Sequence, residues 1–262
     1  MNHKSIEDIL LQKDKRGIAS LRQYLPTDYA SQSAKYLLQH LGPTVITTGF
    51  YILYGGTVET DGPPGAKAIG NALESLGQKV IYLTDRYCKP IMDALASPTE
   101  QTIEFPITDA DKSIQFAREF LRDIRPSLLI SIERCSPSSD GIYRNMLSKD
   151  VSGFTAKIDR IFDIFPHSIG IGDGGNEIGM GKLQAVIPNH PKLPQKPVTR
   201  HNCMLLPNAR AATVPRLCSP PEMRRRAADG HTRDASPPPP PHWPKPRAIS
   251  PGRPMPRRRG WC

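Results

Sequence analysis

The sequence contains few features of a secreted, zinc-binding or membrane protein. Only two of its five cysteines, Cys88 and Cys135, precede residue 198, and no CxxC pair or zinc-like cysteine–histidine spacing occurs. We interpret these two as reduced thiols. The N-terminus has acids and no apolar stretch, and no run approaches the roughly 20 apolar residues that span a bilayer. These absences predict a cytoplasmic protein without a membrane partner, and a mitochondrial location is the alternative.

Two common nucleotide-binding motifs are also missing. The glycine-rich stretch 55–67 lacks the GxxxxGK[ST] pattern of a P-loop. Residues 170–175 match GxGxxG, but Asp173 inside the motif would repel a pyrophosphate. No acid follows at the spacing of about 20 residues that would bind a ribose. The sequence therefore argues against a dinucleotide site.

The net charge of +10 comes entirely from residues 198–262. This segment has 13 basic and three acidic residues and 14 of the 28 prolines, whereas residues 1–197 have 22 of each charge. Without apolar periodicity it cannot bury enough surface to offset its ordering entropy, so we predict a disordered tail. The charge therefore indicates no nucleic-acid partner for the folded part.

Two origins of this tail are open. It is either a basic, proline-rich interaction segment or the product of translation in a shifted frame or through an unspliced intron. The abrupt rise in arginine, proline and alanine, whose codons are GC-rich, favours the second origin. We therefore divide the chain into a domain of residues 1–197 and a tail of residues 198–262.

Residues 1–197 alternate short apolar runs with amphipathic segments. Strands are predicted at 44–53, 79–83, 102–105, 127–132 and 168–171. Helices are predicted within 5–25 and at 29–41, 65–76, 89–96, 109–124 and 155–162, with another beginning near Asn176. This alternation is typical of a mostly parallel, Rossmann-like α/β sheet with helices on both faces. Its carboxyl edge would bring together the loops after residues 53, 132 and 171.

The loop with the strongest functional signal is residues 170–181, GIGDGGNEIGMG. Six glycines surround Asp173, Asn176 and Glu177, and glycine lets a backbone approach a ligand closely. The acids are ligands for a hard cation or acid–base groups. A strand-to-helix turn capped by Asn176 is the structural alternative. That alternative leaves Asp173 unexplained, so we favour a functional loop.

The loop after the first strand contains two acids, Glu59 and Asp61, and then a predicted helix start with Gly62 and Gly65. Backbone amides at a helix start bind anions, and the two acids could converge on one ligand. The structural alternative is a proline–glycine turn with a capping acid.

The loop after residue 132 begins with Glu133 and Arg134 and contains Asn145 further on. A guanidinium at a strand exit is suited to pairing a substrate carboxylate or phosphate, while the glutamate orients it or binds a metal. A structural ion pair explains the same two residues equally well. Asn145 is either a binding residue or part of a turn.

Four segments together resemble the D-glutamate cyclase family, in its C-terminal catalytic-type domain, over roughly residues 25–195. They are TVETDGPPGA (57–66), SIER (131–134), DGIYRNM (140–146) and GIGDGGNEIGMGK (170–182). The resemblance implies conversion of D-glutamate to 5-oxo-D-proline and water. A similarity to a manganese-dependent archaeal phosphatase further suggests a divalent metal, Mn or Mg.

From the chemistry that ring closure requires, we predict a role for each of these residues. The predicted catalytic residues are Glu133, Asp173 and Glu177. The predicted metal ligands are Glu59, Asp61, Asp173 and Glu177. The predicted substrate-binding residues are Arg134, Asn145, Gly62, Gly65 and Asn176.

Three alternatives remain open: a metal-dependent phosphatase on the same scaffold, an inactive truncated member, and an interaction protein acting through its tail. The family continues after about Lys196 with a further strand and helix, which this chain replaces by the tail. The sequence leaves the oligomeric state open.

Overall fold

The computed structural model describes residues 4–12, 14 and 17–190, and the backbone of 204–207. Its strands are β1 (Thr44–Thr47), β2 (Tyr51–Ile52), β3 (Thr57–Val58), β4 (Val80–Thr84), β5 (Gln101–Glu104), β6 (Leu128–Ile132), β7 (Ser168–Gly172) and β8 (Met204–Pro207). Its α-helices are α1 (Ile6–Leu10), α2 (Tyr29–Gln39), α3 (Gly62–Glu74), α4 (Lys89–Leu95), α5 (Ala110–Ile124) and α6 (Asp159–Ile164). Short 3₁₀ turns occur at Ile18–Tyr24, Ser152–Phe154, Gly181–Leu183 and Ile187–Asn189.

Six of the strands form one parallel sheet in the order β5-β4-β1-β6-β7-β8, and β2 and β3 form a separate antiparallel hairpin. The chain moves outward from β1 through β4 to β5 and then returns to place β6 on the other side of β1. The direction of strand order therefore reverses between β1 and β6. In open α/β sheets, ligands bind at the carboxyl edge of such a reversal.

Helices cover both faces of the sheet, which confirms the predicted α/β class. Successive side chains of a strand point to opposite faces. Ile46 and its neighbours pack against Ile69 and Leu73 of α3, whereas Val45 on the other face packs with Phe120 of α5 and Ile161 of α6. Among the helices that the structure describes, none combines the length and hydropathy of a membrane span.

The first strand is shorter than the predicted 44–53. At Gly49 the backbone has φ +107, and a Cβ there would lie 2.6 Å from the Cβ of Cys88. Because the backbone passes so close to Cys88 here, the chain leaves the sheet and goes on to form the β2–β3 hairpin. The apolar run 44–53 therefore contains both β1 and β2. Similarly, α3 begins at Gly62 rather than residue 65, because Asp61 accepts the Gly62 amide and prolines occupy the first turn, where no N–H is needed.

The predicted helix start near Asn176 is wrong. Within the described chain, Glu177 instead forms an antiparallel bridge with Cys135, and the carbonyl of Asn176 accepts the amide of Ser136. The loop after β7 is therefore tied to the loop after β6. Further along, the predicted helix 155–162 is displaced and corresponds to α6.

Residues Met204–Pro207 pair in parallel with β7 and add a sixth strand to the sheet. Here the structure differs from the predicted disordered tail, because these four residues lie beyond the predicted domain boundary at 197. The rest of the tail prediction falls outside the described residues. The apolar run Met204-Leu-Leu was the available signal for this strand.

Candidate functional site

Three buried carboxylates meet at the carboxyl edge of β6 and β7. Glu133 follows β6, and Asp173 and Glu177 lie in the loop after β7. Each offers an oxygen within 4.8 Å of the others, and the three residues are only 3%, 4% and 2% exposed. Burying three like charges together is costly unless a cation or protons neutralise them.

Glu133 reaches this cluster through an unusual backbone. Its φ is +47, in the left-handed region that side chains other than glycine rarely adopt. Its amide donates to the carbonyl of Ile171 at 3.0 Å, so the pairing of β6 with β7 continues to this residue. The carboxylate Oε1 is buried without a hydrogen-bond partner in the described part of the chain. Such an oxygen is available to a ligand.

Glycines allow Glu177 to fold back over the end of β7. A Cβ at Gly172 would lie 2.9 Å from the Cβ of Glu177, and one at Gly174 would lie 2.6 Å from its Oε1. Gly175 donates its amide to Glu177 Oε2 at 2.8 Å. Two of the glycines in this loop therefore allow close packing around a carboxylate, whereas the predicted approach of a ligand to the loop stays a prediction.

Glu59 and Asp61, in the loop before α3, affect the pKa of Glu133 in the group of three carboxylates. Burial raises the pKa of Glu133 well above its usual value, and the negative charges of Asp173, Glu177, Asp61 and Glu59 raise it further. The three loops therefore share one rim of the sheet. Glu59 and Asp61 are only partly buried and lie outside the compact group of three carboxylates.

The start of α3 packs directly against the cluster. A Cβ at Gly62 would lie 2.5 Å from Thr48 Oγ1 and 3.1 Å from the Cβ of Glu133. Asp61 uses Oδ1 to accept the Gly62 amide at 2.8 Å. Gly65 is buried in the first turn and donates its amide to the Asp61 carbonyl at 3.3 Å. Gly62 thus has a packing role, and a substrate role for either glycine stays a prediction.

The Arg134 side chain bonds to partners outside the group of three carboxylates. Its side chain is fully buried, and Nη1 contacts Asp85 Oδ2 at 2.7 Å and the Gly49 carbonyl at 2.7 Å. Nη2 donates to the Ala156 carbonyl at 2.9 Å. Of the two interpretations that the sequence left open, this geometry favours the structural ion pair over the substrate clamp.

The two predicted asparagines differ in position. Asn145 is partly buried, and its Oδ1 accepts the amides of Leu147 and Lys149, which makes it a turn residue. Asn176 is buried next to the triad and donates Nδ2 to the Arg144 carbonyl at 2.8 Å. Its Oδ1 has no hydrogen-bond partner among the described residues. Asn176 is therefore the better placed of the two to meet a ligand.

Sequence reasoning missed Asp85 and Thr48. Asp85 follows β4 and is the partner of Arg134, and Thr48 follows β1 with its hydroxyl against Gly62. Each is a polar residue directly after an apolar strand, which was the available signal. Burial raises the pKa of the Cys88 thiol to about 11 and also raises that of Cys135, which argues against a nucleophilic role for these two cysteines.

Comparison with known proteins decides the family. The family model described as D-glutamate cyclase-like, C-terminal, matches residues 6–206. This chain belongs to the D-glutamate cyclase-like family. The match includes all five acids at the rim of the sheet and reaches into β8.

One curated member of the D-glutamate cyclase-like family is the human protein named D-glutamate cyclase, mitochondrial. It is 32% identical to this chain over 176 residues, which are 60% of this chain and 28% of the human protein. The chain therefore spans less than a third of the length of that relative. Its relationship concerns the C-terminal domain of the family.

Proposed function

We propose that the protein is a D-glutamate cyclase-like lyase, which closes D-glutamate to 5-oxo-D-proline and releases water. The observation that carries this proposal is the buried group of Glu133, Asp173 and Glu177 at the switch point of a sheet whose family has a member named for this reaction. Such a group is typical of a functional site, because three buried acids lie close together, and burial and the neighbouring negative charges raise the pKa of Glu133.

The residues present fit a divalent cation. Carboxylate oxygens are preferred ligands of Mn²⁺ and Mg²⁺, and the buried Oε1 of Glu133 has no hydrogen-bond partner in the described chain. Asp173, Glu177 and Glu133 would hold the ion, with Glu59 and Asp61 near the rim. A bound cation supplies Lewis-acid polarisation of the substrate's γ-carboxylate.

The chain's own groups account for the proton movements. Ring closure forms a bond between the substrate's α-nitrogen and the carbon of its γ-carboxylate, and it breaks one carbon–oxygen bond of that carboxylate. The ammonium loses two protons, and the departing oxygen gains two to leave as water. A carboxyl group of the triad can accept a proton from the nitrogen and give one to that oxygen. The buried position of the triad keeps bulk water away from these transfers.

A metal-dependent phosphatase is the second candidate. The observation that favours it is the contact between the start of α3 and Glu133, because a helix start beside a cation site suits a phosphate. This candidate uses the same carboxylates and differs in its substrate.

The deciding experiment incubates the purified chain with D-glutamate, L-glutamate or a panel of phosphate esters, with and without Mn²⁺. We expect metal-dependent release of 5-oxo-D-proline, measured by mass spectrometry. Asp173→Ala should lower turnover and Mn²⁺ affinity by at least about 100-fold, since it removes a ligand. Asp111→Ala, on an exposed turn of α5, is the control and should leave both unchanged.

Each alternative has its own result. Phosphate release without 5-oxo-D-proline would support the phosphatase. Mn²⁺ binding without turnover of any substrate would support the inactive member. Full activity of Asp173→Ala would contradict the assignment of the site.

A further inference from the structure

A buried ion pair begins one residue after Glu133, at the same edge of the sheet, and neither substrate nor metal uses it in the scheme above. Arg134 is fully buried and Asp85 is 2% exposed, and their contact is 2.7 Å. Replacing such a pair by apolar groups often costs nothing, so ion pairing alone is a weak reason for its presence. Its position in the fold suggests a more specific role.

The pair joins the carboxyl ends of three adjacent strands. Arg134 follows β6, Asp85 follows β4, and the Gly49 carbonyl that accepts from Arg134 follows β1. Asp85 also uses its other oxygen, Oδ1, to accept the amides of Tyr87 and Cys88 before α4. One guanidinium thus fixes the rim of the sheet at the switch point.

Glu133, which precedes Arg134, has a strained backbone with φ +47. A left-handed backbone is unfavourable for an L residue and persists only where its surroundings fix it. On one side, the amide of Glu133 is held by the Ile171 carbonyl. On the other side, the carbonyl of Arg134 accepts the Ile178 amide at 3.0 Å. The Arg134 side chain is held by Asp85 and by the Gly49 and Ala156 carbonyls.

We propose that Arg134, held by Asp85, is a positioning residue that keeps Glu133 in its left-handed conformation and so directs its carboxylate toward Asp173 and Glu177. This inference rests on the proposed function in that it takes the triad as the reactive centre. Arginine is required because its planar fork reaches the Asp85 carboxylate and two carbonyls together. A lysine ammonium in the same place retains the charge but loses that geometry.

The test compares Arg134→Lys and Asp85→Asn with the unmodified full chain. We expect Mn²⁺ affinity, measured by electron paramagnetic resonance, to fall about 10- to 100-fold, as for other residues that orient metal ligands. Hydrogen–deuterium exchange should become faster in the peptides covering 131–136 and 172–178. Asp85→Asn retains an oxygen for the two amides, so it tests the pair if Arg134→Lys does not fold.

A matched control separates positioning from general stability. Lys67→Met removes the ion pair between Lys67 and Glu100, which is partly buried and has no contact with the triad in the described structure. We expect it to lower the melting temperature while Mn²⁺ affinity stays at the unmodified value. A purely structural Arg134 would behave in the same way as this control.

The outcomes are distinct for the two proposals. A folded Arg134→Lys or Asp85→Asn with unmodified Mn²⁺ affinity and unchanged exchange would overturn the positioning role. If the unmodified chain binds no Mn²⁺, the proposed metal-assisted function fails, and exchange alone then decides this inference. Faster exchange confined to the two peptides would support it, and unchanged exchange would overturn it.

Discussion

Two buried glutamates of this protein, Glu100 and Glu133, have opposite surroundings. The side chain of Glu100 is inaccessible to solvent and accepts hydrogen bonds from Lys67, Ser97 and Tyr82. Burial alone would raise the pKa of Glu100, but these donors together lower it. Glu133 is 3% exposed, and burial and the negative charges of four other acids raise its pKa.

The difference shows that burial of an acid does not by itself identify a site. Before β5, the fold supplies Glu100 with a cation and two further donors, and the carboxylate is structural. At the switch edge, the fold supplies Glu133 with more carboxylates. Donors that favour the ionised form identify Glu100 as part of a stabilising network, whereas neighbouring acids that disfavour it make Glu133 a candidate site residue.

The largest expected effect comes from taking Glu177 out of the acidic group. In Gly174→Ala, the new Cβ would lie 2.6 Å from Glu177 Oε1 and from the Sδ of Met146, so the carboxylate must move. We expect Mn²⁺ affinity to fall about 10- to 100-fold. Isothermal titration calorimetry measures this.

Gly153→Ala is the control for that substitution, because nothing lies within 4 Å of a Cβ built there. It should bind Mn²⁺ as the unmodified chain does. Equal affinities for the two variants would show that close packing at Gly174 does not hold the carboxylate.

The second prediction is that the same substitution, glutamate to glutamine, changes the free energy of unfolding in opposite directions at the two positions. Glu100→Gln leaves the Lys67 ammonium without its counter-charge and should destabilise the protein by about 1–3 kcal/mol. Glu133→Gln removes one charge from a repelling group and should stabilise the metal-free protein, by about 1 kcal/mol. Urea unfolding in the presence of a chelator measures both. Two changes of the same sign would contradict the comparison.

The smallest effect is on the pH dependence of stability. Because the folded-state pKa of Glu100 is lowered, its contribution is fully present above the unfolded value of about 4.3 and is lost as pH falls through the folded value. Urea midpoints measured from pH 6 down to pH 3 should therefore fall less steeply for Glu100→Gln than for the unmodified chain. Parallel curves would show that the donors do not favour the ionised form.

The convergence of three loops was predictable from the sequence, whereas the partners inside the site were not. Alternating strands and helices fix which ends of the strands share an edge, so the loops with Asp61, Glu133 and Asp173 had to be neighbours. The partner of Arg134 is Asp85, which follows a different strand and looks locally like a helix cap. No local pattern connects the two.

Local reasoning also misjudged the loop after β7. Asn176 and Glu177 have the composition of a helix start, and propensity alone favours that structure. The backbone groups of this loop instead bond to Arg134 and Ser136 of the loop after β6. Similarly, Gly49 ends β1 early because its neighbour across the fold is Cys88. Both errors arise where contacts distant in sequence override local preference.

The backbone bonds between the loops after β6 and β7 have a consequence for how the acids respond to their own repulsion. Glu177 forms an antiparallel bridge with Cys135. The Ser136 amide donates to the Asn176 carbonyl, and the Ile178 amide donates to the Arg134 carbonyl. These backbone contacts hold the two loops together. The carboxylates therefore cannot relieve the repulsion by moving apart. If the triad binds a cation as proposed, its ligands are already assembled, and little ordering entropy would oppose binding.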